Sequence, residues 1–401
     1  MSDWSTPDDI CSRLRRMWDN GRILSAMAGD ESLFPLRIPL KGPGTRALSE
    51  RFDEARKWIA VLVASEKTDD RPGYALEWRE FSHRQLGANR IPAAAIVENE
   101  KDALALLGKL RDAAIFRDSA LTIRDRFPQL VRWVTRHPIS VLEHSSDWPK
   151  LLAVLDWTVR HPLPGIYLRQ IDAPGVDTKF IERHRAMLGD LLDLVLPQDA
   201  IDATAAGVGG FEQRFGFLSK PAQIRFRLLD PALRIAGLSD LAVTSGEFAG
   251  LAPPARRIFI TENEINFLAF PDMESGMVVF GAGYGFDHLA EARWIGDKEI
   301  VYWGDIDTHG FAILDQLRAR FPSARSLLMD RETMLRHKAF WGREDRPTNR
   351  DLPRLRPGEA ALYDDLRFNR LGSDVRLEQE RIGFHWVVET LSKTGEPPSS
   401  Q

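Results

Sequence analysis

Apolar positions follow two rhythms along this chain. Up to about residue 205 they mostly recur every three or four positions, and after about residue 210 they gather into short runs separated by polar turns. Leu48, Phe52, Ala55, Ile59 and Leu62 keep helical spacing and predict a helix over 46–64. Residues 8–18 predict another, opening after Ser5-Thr6-Pro7, where a proline is tolerated. Residues 100–110 predict a third, with Asn99 as its N-cap. The segment 34–40 is apolar but broken by Pro35 and Pro39, so it is at most an edge strand. Amphipathic helices are expected over 151–159 and 180–196. Between them, 162–171 reads as a turn and a short strand. Helices followed by a short strand pair are compatible with a winged helix. Residues 198–210 are small and glycine-rich, which suggests a linker or exposed turn.

Beyond that point, strands are expected over 224–229, 241–244, 257–261, 277–280, 300–303 and 326–329, with helices over 289–292 and 311–321. Such alternation argues for an α/β domain with a largely parallel sheet. The pattern divides into a mainly helical N-terminal domain over 1–110, a mainly helical region over 111–205 that is compatible with a winged-helix-like domain, a fold periodicity alone does not show, and an α/β domain over 206–401. No internal repeat or low-complexity tract interrupts it, and residues 395–401 are expected to be disordered.

Composition narrows the class. With 401 residues, 43% hydrophobic and 28% charged, the chain is that of an ordinary globular protein of two or three domains. Cys11 is the only cysteine, which excludes an internal disulfide framework or a thiolate zinc cage and fits a reducing interior. No apolar run approaches the roughly 20 residues needed to cross a bilayer. The opening Met1-Ser2-Asp3-Trp4-Ser5 has no charged region leading into an apolar core, so no signal peptide is expected. A cytoplasmic location without membrane contact follows by elimination. The net charge of −4 is not that of a protein coated in nucleic acid, so any polyanion must be met by a local basic patch.

The candidate chemistry lies in Val301-Tyr302-Trp303-Gly304-Asp305-Ile306-Asp307-Thr308-His309-Gly310, which places two carboxylates two positions apart at the end of an apolar run. Alternate residues of a strand share a face, so Asp305 and Asp307 can point into one site. Arg257-Ile258-Phe259-Ile260-Thr261-Glu262-Asn263-Glu264 also ends in acid, and Glu262 can join them if the two strands are neighbours. Such ends are where open α/β sheets bind ligands. Clustered carboxylates repel unless protonated or neutralised, and an oxygen-only set suits Mg²⁺ or Mn²⁺. Asp-x-Asp pairs are common by chance; the placement after apolar runs, bracketed by Gly304 and Gly310, is what singles this one out. A haloacid-dehalogenase-like phosphatase also carries Asp-x-Asp after a strand. That fold normally opens with the motif and uses a downstream lysine, whereas here an acidic strand end comes earlier and Lys338 falls in an expected helix.

The arrangement resembles the Toprim domain, which carries a glutamate after its first strand and Asp-x-Asp after a later one. Residues 261–268, 302–310, 376–381 and 171–184 are together similar to the nuclease subunits of the bacterial Wadjet anti-plasmid systems (JetD, also called MksG) over most of the chain. That family is related to the A subunit of topoisomerase VI and to the meiotic break-forming enzymes, in which a winged-helix domain bears a nucleophilic tyrosine. Of Tyr74, Tyr167, Tyr284, Tyr302 and Tyr363, only Tyr167 falls in the winged-helix part. Its neighbours Ile166 and Leu168 suit core packing, which leaves metal-activated water as the expected nucleophile.

The resemblance implies a Mg²⁺- or Mn²⁺-dependent endonuclease with Asp305 and Asp307 as metal ligands. Glu262 is a further ligand or the general base, and Glu264 is its alternative on the same strand face. Glu378 and Glu380 complete the site or lie on a solvated helix face. His309 contacts a phosphate, orders the aspartate loop or is purely structural; the other eight histidines show no metal spacing. DNA phosphates are expected at Arg214, Lys220, Arg225 and Arg227, and at Arg169, Lys179 and Arg183. Double-stranded plasmid DNA, a homodimer and an SMC–kleisin complex (JetABC) are the expected partners, with the N-terminal domain docking on that complex. The alternatives are a DNA-binding adaptor with a vestigial site and the phosphatase.

Overall fold

The computed structural model describes residues 4–29, 32–83, 87–281 and 286–394. Residues 395–401 and Tyr284 lie outside them. The chain divides into two units, Met1–Ser219 and Lys220–Gln401. No described helix is long and apolar enough to cross a membrane.

In the first unit the helix Pro7–Asp19 opens on Thr6, which exchanges backbone and side-chain hydrogen bonds with Asp9 as a capping box. Asn99 caps Glu100–Leu107 as expected, its Oδ1 accepting from the Asp102 N–H at 2.9 Å. The helix expected over 46–64 breaks at Arg51, whose φ of −130° and ψ of 43° are not helical, giving Thr45–Glu50 and Phe52–Ala64. That expected over 180–196 likewise breaks at His184, between Thr178–Arg183 and Arg185–Val195.

This unit also holds an antiparallel sheet of β1 (Leu36–Pro39), β2 (Ala75–His83) and β3 (Gly87–Val97), in the order β1-β3-β2. The proline-broken β1 is an edge strand, as its sequence suggested. β2 and β3 escaped the pattern because charged residues break up β2, while β3 is alanine-rich and contains Pro92. Pro92 pairs with Trp78 where the register shifts, the kind of position a residue without an N–H can occupy.

The strand expected within 162–171 is instead a short 3₁₀ turn, Leu168–Gln170. Tyr167 makes only an isolated bridge to Leu218 and is 43% exposed, so it is not a core residue. No strand falls within 111–205 among the described residues. Of the two readings of 198–210, the exposed turn holds: residues 203–204 and 206–209 are exposed, while buried Ala200 and Ala205, and Asp202 accepting from Thr204 and Gln213, tie the stretch down.

The second unit is built on β4 (Gln223–Leu228), β5 (Asp240–Thr244), β6 (Arg257–Thr261), β7 (Gly276–Phe280), β8 (Glu299–Trp303) and β9 (Arg325–Ser326). Their order is β5-β4-β7-β6-β8-β9. β6, β7, β8 and β9 run parallel, and β4 is antiparallel to β5 and β7. The expected strands all form, although the last is only two residues long. Ile258 to Thr261 and Ile300 to Trp303 are buried at every position, as central parallel strands covered on both faces should be. The register sets Thr261 opposite Trp303, so the residues that follow both strands emerge at one end of the sheet. A two-stranded antiparallel pair, β10 (Gly342–Arg343) and β11 (Val375–Arg376), forms a separate sheet.

Candidate metal centre

Glu262, Asp305 and Asp307 line one cavity of ≈ 480 Å³, with His309, Gly310, Glu344, Asp345, Arg346 and Arg376. Each carboxylate gets there by a local device. Glu262 follows β6, and the Tyr302 hydroxyl of neighbouring β8 donates to its Oε1 at 2.7 Å. Asp305 lies past the end of β8. Its Oδ1 accepts the Gln379 N–H and its Oδ2 the Arg376 guanidinium, both at 2.8 Å. Asp307 is not on the strand; it is the N-cap of the helix Thr308–Arg320, and its Oδ1 accepts the Gly310 N–H at 2.7 Å. Close approach explains the flanking glycines: a Cβ on Gly304 would strike the Tyr302 hydroxyl, and one on Gly310 would strike the Asp305 carbonyl oxygen.

A second segment completes the wall. Ile306 and Leu377 exchange backbone hydrogen bonds at 2.9 and 3.0 Å, which stitches the aspartate loop to the residues after β11. Arg376 thereby comes within 3.5 Å of Asp307 and 3.2 Å of Glu378 as well as touching Asp305. Gln379 accepts from the Thr261 hydroxyl at 2.7 Å and so ties the same segment to β6. Glu344, after β10, is 4% exposed. It accepts from the Thr308 N–H at 3.1 Å, the Thr308 hydroxyl at 2.7 Å and the His309 N–H at 3.3 Å.

The electrostatics follow from this crowding. Burial, with Glu344 and Asp305 adding like charge, pushes the Asp307 carboxyl up to about 6 against the opposing Gly310 N–H and Arg376. Burial raises Glu262 too, with the Asp305 charge reinforcing it and the Tyr302 hydrogen bond opposing. Burial and the adjoining acids hold the Tyr302 phenol well above its ordinary value, so it stays a donor. For Arg376, burial acts downward, but Asp307, Asp305 and Glu378 together outweigh it and raise the group.

The donors are of the type a hard divalent cation takes, although among the described residues Glu262, Asp305 and Asp307 do not bring one ligand atom each within 4.8 Å of the others. The set is all oxygen, it is crowded, and parts of it are uncommitted. Asp307 Oδ2 meets Arg376 only at 3.5 Å, and the Arg376 Nε finds no hydrogen-bond partner. Arg376 supplies part of the positive charge that such a cluster needs.

The other expected site residues are dispersed. Glu264 begins the helix Glu264–Ala269 and pairs with Arg225 at 2.7 Å, outside the cavity lining. Glu378 caps a 3₁₀ turn between Arg376 and Arg381, and exposed Glu380 touches Asn263 at 3.4 Å; neither lines the cavity. His309 stands at the cavity with its ring 58% exposed and its Nε2 2.7 Å from the Arg346 carbonyl oxygen.

Among the expected DNA contacts, Arg214 is held by Asp193 at 2.8 and 3.0 Å. Arg225 is held by Asp240 and Glu264, and Arg227 caps the helix Glu264–Ala269 by donating to the Phe267 and Leu268 carbonyls. Arg169, Lys179, Arg183 and Lys220 are exposed. Glu344, Gln379 and the Tyr302–Glu262 bond were not foreseen.

Residues 216–391 match the family described as Wadjet protein JetD, C-terminal. Residues 7–193 match a family described as the N-terminal part of an uncharacterized protein conserved in bacteria (DUF3322). A comparison with curated proteins finds no match. The JetD match contains every residue of the acidic cavity, and the two matches follow one another over most of the chain. Residues 216–391 are therefore a C-terminal domain of the JetD family of Wadjet proteins.

Proposed function

We propose that this protein is a Mg²⁺- or Mn²⁺-dependent DNA endonuclease with a Toprim-like catalytic unit, cutting plasmid DNA as the nuclease subunit of a Wadjet SMC–kleisin complex. The observation that carries this reading is the convergence of Glu262, Asp305 and Asp307 on one cavity at the ends of adjacent parallel strands. Asp305 and Asp307 would hold the metal, with Glu262 as a further ligand or the general base. A bound metal relieves charge at the phosphoryl oxygens and activates the attacking water.

The remaining roles belong to the protein. Tyr302 orients Glu262, and burial raises that carboxyl toward the range in which it can hold or pass a proton. Arg376, once exchanged from Asp305, is placed to bind a phosphate oxygen. Exposed Arg169, Lys179, Arg183 and Lys220 offer sequence-independent phosphate contacts. In the winged-helix reading of 111–205, DNA would rest on helices alone, because that stretch has no described strand to form a wing. A homodimer would present two such cavities to the two strands, and the N-terminal part would dock on the larger complex.

The test is nicking of circular plasmid with Mg²⁺ or Mn²⁺. Glu262→Ala and Asp305→Ala should each abolish it in folded protein; cleavage retained by either variant overturns the assignment. A second reading is favoured by one feature. Arg376 already neutralises Asp305, so the cavity is also stable as the vestigial site of a DNA-binding adaptor. DNA binding insensitive to EDTA, with no cleavage under any divalent ion, would support it.

A further inference from the structure

We infer that His144, Asp147 and His184 form a separate metal site in the first unit, suited to Zn²⁺. His184 is 4% exposed, and its Nδ1 lies 2.9 Å from the Phe180 carbonyl oxygen. A carbonyl only accepts, so Nδ1 carries the proton and the Nε2 of the neutral ring presents a lone pair. His337 shows what a neutral ring in this setting ordinarily meets. Its Nδ1 faces the Thr333 carbonyl oxygen at 2.9 Å, and its Nε2 accepts the Gly383 N–H at 3.1 Å. His184 differs: its Nε2 faces another acceptor, Asp147 Oδ2, at 3.2 Å. Two lone pairs at that distance need either a proton or a metal ion between them.

A proton on Nε2 would satisfy that pair alone, but a third donor points at the same oxygen. His144 Nδ1 lies 3.6 Å from Asp147 Oδ2, and the two imidazole rings meet edge to face with centroids 5.4 Å apart. One ligand atom from each residue falls within 4.8 Å of the others. A tetrahedral ion with bonds of about 2.0–2.1 Å spaces its donors by roughly 3.3 Å, which lies between the two measured separations. The Phe180 carbonyl holds the His184 ring as outer partners hold ligating histidines. Two imidazoles and one carboxylate favour zinc over Mg²⁺ or Mn²⁺. The side chains of His144 and Asp147 are 36% and 32% exposed, so an ion can enter and water can complete its shell. The bound ion would staple the turn before the helix Trp148–Arg160 to the end of the helix Thr178–Arg183.

The test uses the full chain carrying Asp305→Asn and Asp307→Asn, so that the carboxylate cavity does not compete. After chelation, Zn²⁺ is titrated calorimetrically and Co²⁺ serves as the optical probe. We expect one equivalent of Zn²⁺ and the strong visible absorption of four-coordinate Co²⁺. Affinity should fall at least tenfold in both His144→Ala and Asp147→Asn. His144 is partly exposed, so its variant should keep the fold, checked by unchanged circular dichroism. No metal uptake, or uptake that His144→Ala leaves unaltered, overturns the site and leaves a proton-bridged Asp147–His184 pair.

Discussion

The Arg376 guanidinium donates to Asp305 Oδ2 at 2.8 Å from 71 positions further along the chain. It brings a fixed positive charge to acids that would otherwise repel one another. Both side chains are about 30% exposed, so solvent moderates the interaction. Arg376→Ala should cost the metal-free protein about 1–3 kcal/mol at neutral pH, discounted from the value for a fully buried pair. Mn²⁺ should recover most of that loss and bind the variant more tightly than the parent, because its competitor is gone. Thermal melts with and without Mn²⁺ check both; an unchanged metal-free melting temperature would contradict the electrostatic account.

Asp307 gives a pH signature. Its carboxyl sits at about 6 in the folded protein against an ordinary 3.8, so the fold binds this proton more tightly than the unfolded chain does. The resulting stabilisation is complete below about pH 4 and is lost as pH rises through about 6. Asp307→Asn removes that loss and retains an oxygen to cap the Gly310 N–H. At pH 7 without metal, the variant should be more stable by at most about 3 kcal/mol, with the gain vanishing toward pH 4. Denaturant titrations at several pH values measure it.

Glu344 holds the first turn of the helix Thr308–Arg320 and adds negative charge beside Asp307. Glu344→Gln should destabilise the protein by about 1–3 kcal/mol, because an amide cannot accept on both sides. It should also move the pH midpoint of Mn²⁺ binding downward, since Asp307 then releases its proton more easily. A midpoint that stays in place would show that Glu344 acts only as a cap.

Tyr302→Phe should do the opposite to that midpoint. The lost hydroxyl leaves Glu262 Oε1 without its 2.7 Å hydrogen bond and raises the carboxyl further. Mn²⁺ affinity against pH, measured for Tyr302→Phe and Glu344→Gln side by side, should give midpoints displaced in contrary directions.

The sequence revealed the strands of the second unit because β6 and β8 are unbroken apolar runs, and acids after adjacent parallel strands must emerge together. It misjudged how they emerge. Alternation along a strand suggested that Asp305 and Asp307 share a face, whereas Asp307 caps a helix, a role that Asp307-Thr308-His309-Gly310 also permits. The same rule paired Glu262 with Glu264, but the strand stops at Thr261 and Asn263 caps a new helix. Glu344, Gln379 and the docking of Arg376 depend on β10–β11 pairing and on the Ile306–Leu377 contact, which no local pattern encodes. His144 and His184 lie 40 positions apart, and only the packing of separate helices brings them to one aspartate.

The Ile306–Leu377 pairing also sets an order of events. A nascent chain synthesised as far as the aspartate loop has Asp305 with neither the Gln379 amide nor the Arg376 guanidinium. The raw acids remain mutually repelling until some seventy more residues have left the ribosome and folded back. The cleft is therefore a late product of biosynthesis, and an interrupted translation product would lack the amide and guanidinium that steady Asp305.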